Sequence, residues 1–223
     1  IRCDRGIQAL VLAGAGGAFC AGGDIRTMQG GDGSAESGRN RMMDLHLWVE
    51  ELLTLDRPVI AAVDGVAYGA GFSLALAADF ILASPRARFC CSFMRMGLIP
   101  DCGVFYTLPR VVGLQRAKEL VFSAREIGAE EAKQMGIVFE IQPEDRLGER
   151  ARQLALSFNQ ASPTALSIAK RALNASPTSD LRTMLEMEAS GQGVARASDY
   201  HREATARFLN KQAPLFQWPQ DGE

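Results

Sequence analysis

The stretch from Pro58 to Ala83 is the most apolar in the chain, and how it is read decides what the rest can be. A run of this length would pass for a membrane span on hydropathy alone. Asp64 and Asp79 interrupt it, and Gly65, Gly69 and Gly71 crowd its middle. The run therefore reads as a buried strand, a turn and a helix rather than one lipid-facing helix. Val59–Val63 is assigned as a strand, Gly69–Ala78 as a small-residue helix, and Phe80–Ala83 as the next strand.

The same alternation continues on both sides. Ile7–Leu12 reads as a buried strand ending in the turn Ala13–Gly17, and Ala87–Cys91 as a further strand. Gly30–Asn40 is polar and glycine-rich and reads as a loop. A helical period starts at Arg41, with Met42, Leu45, Val49, Leu52 and Leu53 on one stripe, and Pro58 closes it. Near-continuous apolar strands separated by helices predict an α/β core with a largely parallel sheet. Beyond Gly103 the pattern turns helical, over Gly103–Val112, Leu114–Phe122, Ala129–Met135, Leu147–Gln160, Pro163–Asn174 and Asp180 to about Asn210. A short strand, Ile137–Ile141, interrupts them. The expected division is an α/β core over residues 1–145 and a helical region over 146–223.

Composition narrows the function classes. The 223 residues are 47% apolar and 22% charged, with a net charge of −2 and no excess of Lys and Arg to mark a nucleic-acid or anionic-membrane binder. The cysteines (Cys3, Cys20, Cys90, Cys91, Cys102) are odd in number and form no Cys-x-x-Cys pair, and His46 and His201 are the only histidines. Neither a disulfide framework nor a metal site is expected, and scattered thiols suit a reducing, cytoplasmic setting. No signal-peptide pattern follows Ile1.

Two segments share a chemical signature: a strand runs into a glycine-rich turn and then a helix. They are Phe19-Cys20-Ala21-Gly22-Gly23-Asp24 and Asp64-Gly65-Val66-Ala67-Tyr68-Gly69-Ala70-Gly71-Phe72. Turns without bulky side chains leave backbone N–H groups exposed, and two converging on one point form an oxyanion hole. Either segment taken alone reads first as a tight turn packed with small residues, because glycine turns are common. Neither carries a P-loop or a dinucleotide fingerprint.

Joined by Gly97-Leu98-Ile99-Pro100-Asp101-Cys102-Gly103, the set resembles the crotonase (enoyl-CoA hydratase/isomerase) superfamily. Pro58–Gly65, Leu108–Gly113, Ala129–Ala132, Gly136–Val138 and Pro214–Phe216 extend the resemblance over nearly the whole chain. The resemblance implies a spiral of β-β-α units, with its first strands ahead of Ile1, followed by a helical C-terminal trimerisation region. It implies an acyl-CoA thioester as partner, no separate cofactor because coenzyme A is part of the substrate, and a homotrimer or dimer of trimers. Fatty acid metabolism is the implied setting. By position, the backbone donors to the thioester oxygen would be Gly23 and Ala70, with Ala21 beside them.

The reaction is read from what stands at the family's acid–base positions. The two glutamates that hold water in hydratases correspond to Ser73 and Phe93, neither of which is a carboxylate. Asp101 matches the place where several isomerases carry their working acid, and the run Gly97–Gly103 is most like the epoxyphenylacetyl-CoA isomerase branch. A double-bond or ring isomerase with Asp101 as acid/base is the resulting expectation, against the competing reading of Asp101 as a helix cap. Open alternatives are a hydratase, a dehalogenase or thioester hydrolase pairing Asp101 with His46, and a non-catalytic RNA-binding homologue. His46 is otherwise a helix residue beside the stripe of Met42, Leu45 and Val49. Phe72 and Phe93, with Met94 and Phe105, are candidate walls of the acyl pocket. Arg26 is a candidate for the CoA phosphates, and Asp24 for capping.

Overall fold

A computed structural model describes residues 1, 3–4, 6–24, 26 and 34–220. The strands are β1 (Leu10–Ala13), β2 (Val59–Val63), β3 (Val66–Tyr68), β4 (Phe80–Ala83), β5 (Arg88–Cys90), β6 (Glu126–Gly128) and β7 (Glu140–Ile141). The longer helices are α1 (Ala35–Leu53), α2 (Ala70–Leu76), α3 (Val104–Ser123), α4 (Ala129–Gln134), α5 (Glu144–Ser157), α6 (Pro163–Ala175), α7 (Leu181–Arg196) and α8 (Asp199–Leu209).

The chain divides into two compact units. The larger holds Val11–Thr54 and Ile60–Ala151, and the smaller holds Ile1–Leu10, Leu55–Val59 and Arg152–Glu223. This differs from a contiguous split at 145/146. The two upstream pieces pair with each other, Leu10 N–H donating to Pro58 O (2.9 Å), and join the helices where Lys170 Nζ donates to Arg57 O (2.8 Å). Within that unit, a Cβ on Gly191 of α7 would lie 2.8 Å from Ile168 of α6, and Phe158 stacks on Phe216 with centroids 6.1 Å apart.

In the larger unit one sheet has the order β1-β2-β4-β7 and a second has β3-β5-β6. Leu10 and Val59, the first residues of β1 and β2, count with the smaller unit. The pairs β2–β4, β4–β7 and β3–β5 are parallel, and β5–β6 is antiparallel. Every residue of β2 is buried, as a strand covered on both faces requires. The core gathers Val63, Ile81, Leu108, Leu120 and Ile127 around Phe72 and Phe89, whose rings are 5.7 Å apart.

Several elements depart from the sequence reading for local reasons. The expected loop Gly30–Asn40 gives way to helix from Ala35, because the Ser34 hydroxyl caps it by accepting from Ser37 N (3.1 Å); Gly30–Gly33 lie outside the described residues. The two helices expected on either side of Gly113, by contrast, are both present, with Gly113 breaking α3 between them at φ 75° and ψ 160°. The long helix expected over Asp180–Asn210 is two, because Ser198 starts α8 by accepting from His201 N (3.2 Å). Strands β3 and β6, of three residues each, show no period of their own.

Ion pairs tie segments of the larger unit to one another, and two of them have direct consequences for stability. Glu140 on β7 and Arg150 on α5 are almost wholly buried, with side chains 14% and 6% exposed, and meet through two hydrogen bonds of 2.8 and 3.1 Å. Truncating one partner strands the other charge away from water. Arg150→Ala should destabilise the protein by about 3–5 kcal/mol, read from the urea unfolding midpoint; a loss typical of a surface pair would contradict this account. Asp64, in the β2–β3 turn, accepts from Ser84 Oγ (2.7 Å) and from Arg86 Nε (2.8 Å) and Nη2 (2.5 Å). The Arg86 hydrogen bonds are the chief cause holding its carboxyl below the ordinary 3.8. Its stabilising contribution is therefore complete above the unfolded value and fades as pH falls through the folded one. Asp64→Asn should lower the thermal midpoint at neutral pH and flatten its decline on acidification below 3.8; parallel acid limbs for the two proteins would count against it.

Candidate active site

Backbone groups alone fold the two glycine-rich segments onto one another. Val66 O accepts from both Phe19 N (3.1 Å) and Cys20 N (3.0 Å), and Tyr68 N donates to Cys20 O (2.9 Å). Cys20 and Ala67 form a parallel bridge. A Cβ on Gly71 would sit 2.1 Å from Cys20 O, and one on Gly65 would sit 2.2 Å from Gly17 O. Glycine at these two positions is what lets the chains approach. The turn at Gly22–Gly23 thereby lies along the start of α2, where a Cβ on Gly22 would be 3.7 Å from Ala70 N.

Ala70 opens α2, so its N–H has no acceptor within the helix. Among the described residues neither the Gly23 amide nor the Ala70 amide has a protein acceptor. Both residues line one cavity of about 640 Å³. Cys20, Ala21 and Asp24 extend the first turn into its wall. Helix α1 supplies Arg41, Met42, Asp44, Leu45 and Trp48, and the far side carries Phe93, Met96, Leu98, Asp101 and Cys102.

Asp101 is placed by the turn ahead of α3. The cap of α3 is Gly103, with no side-chain capping bond, and Asp101 contributes only its backbone carbonyl to Val104 N (3.3 Å). The capping alternative for its carboxylate is therefore not realised. Instead Oδ1 of Asp101 is buried and has no hydrogen-bond partner among the described residues, inside the cavity lining. An unsatisfied carboxylate oxygen is costly unless something else uses it. The turn rests on α1, since a Cβ on Gly103 would be 3.5 Å from both Val49 and Leu53. Around the carboxylate the thiols of Cys91 and Cys102 are each pushed up to about 12, first by burial and then by neighbouring groups that include the Asp101 charge.

The structure thus brings Ala21, Gly23, Ala70, Phe93 and Asp101 to one cavity and leaves six candidates outside it. Phe72 is core, packed on Phe89, because it lies on the inward face of α2. Ser73 is wholly buried and its hydroxyl donates to Gly69 O (3.2 Å), closing the first turn of α2. His46 is exposed on α1 and supplies none of the described lining, so it does not join Asp101. Arg26 is exposed and outside the lining; its backbone N–H donates to Asp24 Oδ1 (2.9 Å), the turn-capping role expected of Asp24. Met94 and Phe105 are exposed and also outside the described lining. The α1 contribution was missed because Met42 and Leu45 share a stripe with Val49, and a core-facing stripe and a cavity-facing one have the same period. Trp48, three residues after Leu45, was the available signal.

Among the described residues no group of three or more His, Cys, Asp or Glu side chains could hold a metal ion, and no helix is long and apolar enough to cross a membrane. Residues 1–219 match the family model described as enoyl-CoA hydratase/isomerase. The chain is 37% identical over 215 residues to a 1,2-epoxyphenylacetyl-CoA isomerase of Escherichia coli K12, covering 96% of this chain and 82% of that protein. It is 40% identical over 213 residues to a probable enoyl-CoA hydratase of Rhodobacter capsulatus, covering 94% and 80%. The crystal structure of an enoyl-CoA hydratase/isomerase from Cupriavidus metallidurans CH34 superposes with a TM-score of 0.94 at 46% identity, covering 99% of this chain and 83% of that one. With this agreement over both turns and the helices beyond them, the chain belongs to the enoyl-CoA hydratase/isomerase family and has its crotonase fold.

Proposed function

We propose that the protein is an acyl-CoA isomerase in which Asp101 carries the migrating proton. The thioester oxygen accepts from the Gly23 and Ala70 amides, which are held by backbone and need no reorganisation when charge develops. The Asp101 carboxylate removes a proton from a carbon beside the thioester; the C–H electron pair flows into the carbonyl, giving an enolate. The carboxylic acid so formed returns the proton to another carbon of the conjugated system as the enolate collapses. No atom is gained or lost, and coenzyme A enters and leaves as part of the substrate. The apolar wall of Met42, Leu45, Trp48, Phe93 and Leu98 suits an acyl group and keeps water from the enolate.

The observation that carries this reading is the buried, unpartnered Oδ1 of Asp101 within the cavity that both amides line. Phe93, where hydratases place a glutamate, supplies no second base to hold water. The dehalogenase and hydrolase alternatives lose their second group with His46 outside the lining. The reading extends to a homotrimer or a dimer of trimers, which would cover exposed apolar side chains of the helical unit such as Leu181, Leu185 and Phe208.

Mass spectrometry and NMR of products from enoyl-, epoxy- and aryl-acyl-CoAs distinguish the reactions. A product of unchanged mass is expected, whereas hydroxyacyl-CoA or free CoA would favour the hydratase or the hydrolase. Asp101→Asn should lower kcat by about two to four orders of magnitude while acyl-CoA still binds; retained turnover would exclude Asp101 as the base. Ala70→Pro tests the hole separately, because the first position of a helix tolerates proline but loses its N–H. A folded variant with kcat reduced by about 10²–10³ is expected from circular dichroism and steady-state kinetics, and an unaffected kcat would remove this amide from the mechanism.

A further inference from the structure

Helix α1 lays one stripe along the cavity, in which Arg41, Leu45 and Trp48 follow one another at helical spacing with Met42 and Asp44 beside them. Polarity changes along that stripe. Val49 and Leu53 are the residues of α1 that meet Gly103, so Trp48 marks the end of the stripe nearest the turn that carries Asp101. Arg41 precedes Val49 by two turns of helix, which places its Cα about 12 Å further along the axis. An acyl group laid against α1 from Asp101 therefore meets Trp48, Leu45 and Met42 before it reaches a charge.

Among the described residues Arg41 is the only cationic side chain of the lining, and its guanidinium has no ion pair or hydrogen bond. Asp44 stands three residues on, the spacing at which Arg116 pairs with Glu119 and Asp199 with Arg202. Arg41 and Asp44 nevertheless form no such pair among the described residues. We infer that Arg41 is a specificity-determining residue, selecting acyl-CoAs that carry a carboxylate at the far end of the acyl group. The inference rests on the cavity being the acyl site of the reading above. A guanidinium presents its donors as a planar fork that matches a carboxylate in two parallel hydrogen bonds. The apolar stretch between the two ends gives the intervening carbons a surface to lie on, and Arg41 ends it with a charge. Both charged side chains are exposed, so water screens the contact and its effect is moderate. Asp44 repels the same carboxylate, which makes its removal a control of opposite sign.

Isothermal titration calorimetry of saturated acyl-CoAs, short to medium in chain length and each ending in a methyl group or in a carboxylate, tests this, with free CoA alongside. Saturated chains undergo no net reaction, so the comparison stands whether or not Asp101 is the base. At one chain length the carboxylate-ended form should bind about tenfold more tightly than its methyl-ended mate, a preference that shrinks with added salt. Arg41→Gln should bring the ratio of the two Kd values close to one, Arg41→Glu should invert it, and Asp44→Asn should raise it. Each variant is judged by the ratio of two ligands, so a general loss of folding does not mimic the result. Equal Kd values at every length in the wild-type protein, or a preference that survives Arg41→Gln, overturns the inference. So does an equal loss for both forms and for free CoA in Arg41→Gln, which would assign Arg41 to the CoA phosphates. The isomerase reading fails separately, on hydroxyacyl-CoA or free CoA as the product from the corresponding enoyl-CoAs, and that outcome leaves the Kd ratios to decide Arg41.

Discussion

The site depends on one contact, the backbone pairing of Phe19–Asp24 with Asp64–Phe72. It is made of amides and carbonyls, with Val66 O accepting twice and Cys20 O once, and it closes because Gly65 and Gly71 present no Cβ where a carbonyl oxygen stands about 2 Å away. Everything chemical follows from that approach. It sets Gly23 and Ala70 on one cavity and leaves their N–H groups without acceptors among the described residues. Donors supplied by backbone in this way depend on chain path rather than on side-chain identity, which is how one scaffold can serve several acyl-CoA reactions.

The rest of the larger unit buttresses that contact. Asp64, tied to Ser84 and Arg86, fixes the turn from which β3 departs, and Gly69 N donates to Cys90 O (2.9 Å), anchoring the start of α2 to β5. Phe72, immediately past the opening of α2, is driven into the core against Phe89. Rigid elements thus hold the two amides, while Asp101 sits on a tight turn resting on α1. The division resembles that of many enzymes, in which a packed scaffold presents chemistry from loops.

Much of the fold was legible in the chain itself. The fully apolar Val59–Val63 and Phe80–Ala83 could only be strands covered on both faces, and their parallel pairing follows from the helix between them. What escaped was short or set by caps. Strand β3 is three residues in a glycine-rich run, too few for any period to show. Helix α1 begins on a hydroxyl cap at Ser34, and its polar first turns gave no apolar signal. The two-unit division was hidden because it joins segments far apart in sequence, Ile1–Leu10 and Leu55–Val59 with the C-terminal helices.

For the site, turn chemistry in the sequence marked both glycine-rich turns, while Asp101 and the absent hydratase carboxylates were read from the family resemblance. Only the tertiary structure decided which neighbours matter. Phe72, Phe93, Met94 and Phe105 were candidate walls on paper, yet Phe72 packs inward from α2, Met94 and Phe105 lie outside the described lining, and Phe93 reaches the cavity. Asp101 had two roles open to it until its side chain was found to cap nothing. His46 was excluded by where α1 turns its face. Direction, burial and the partner of a carboxylate oxygen are relations between distant parts of the chain, and no local pattern encodes them.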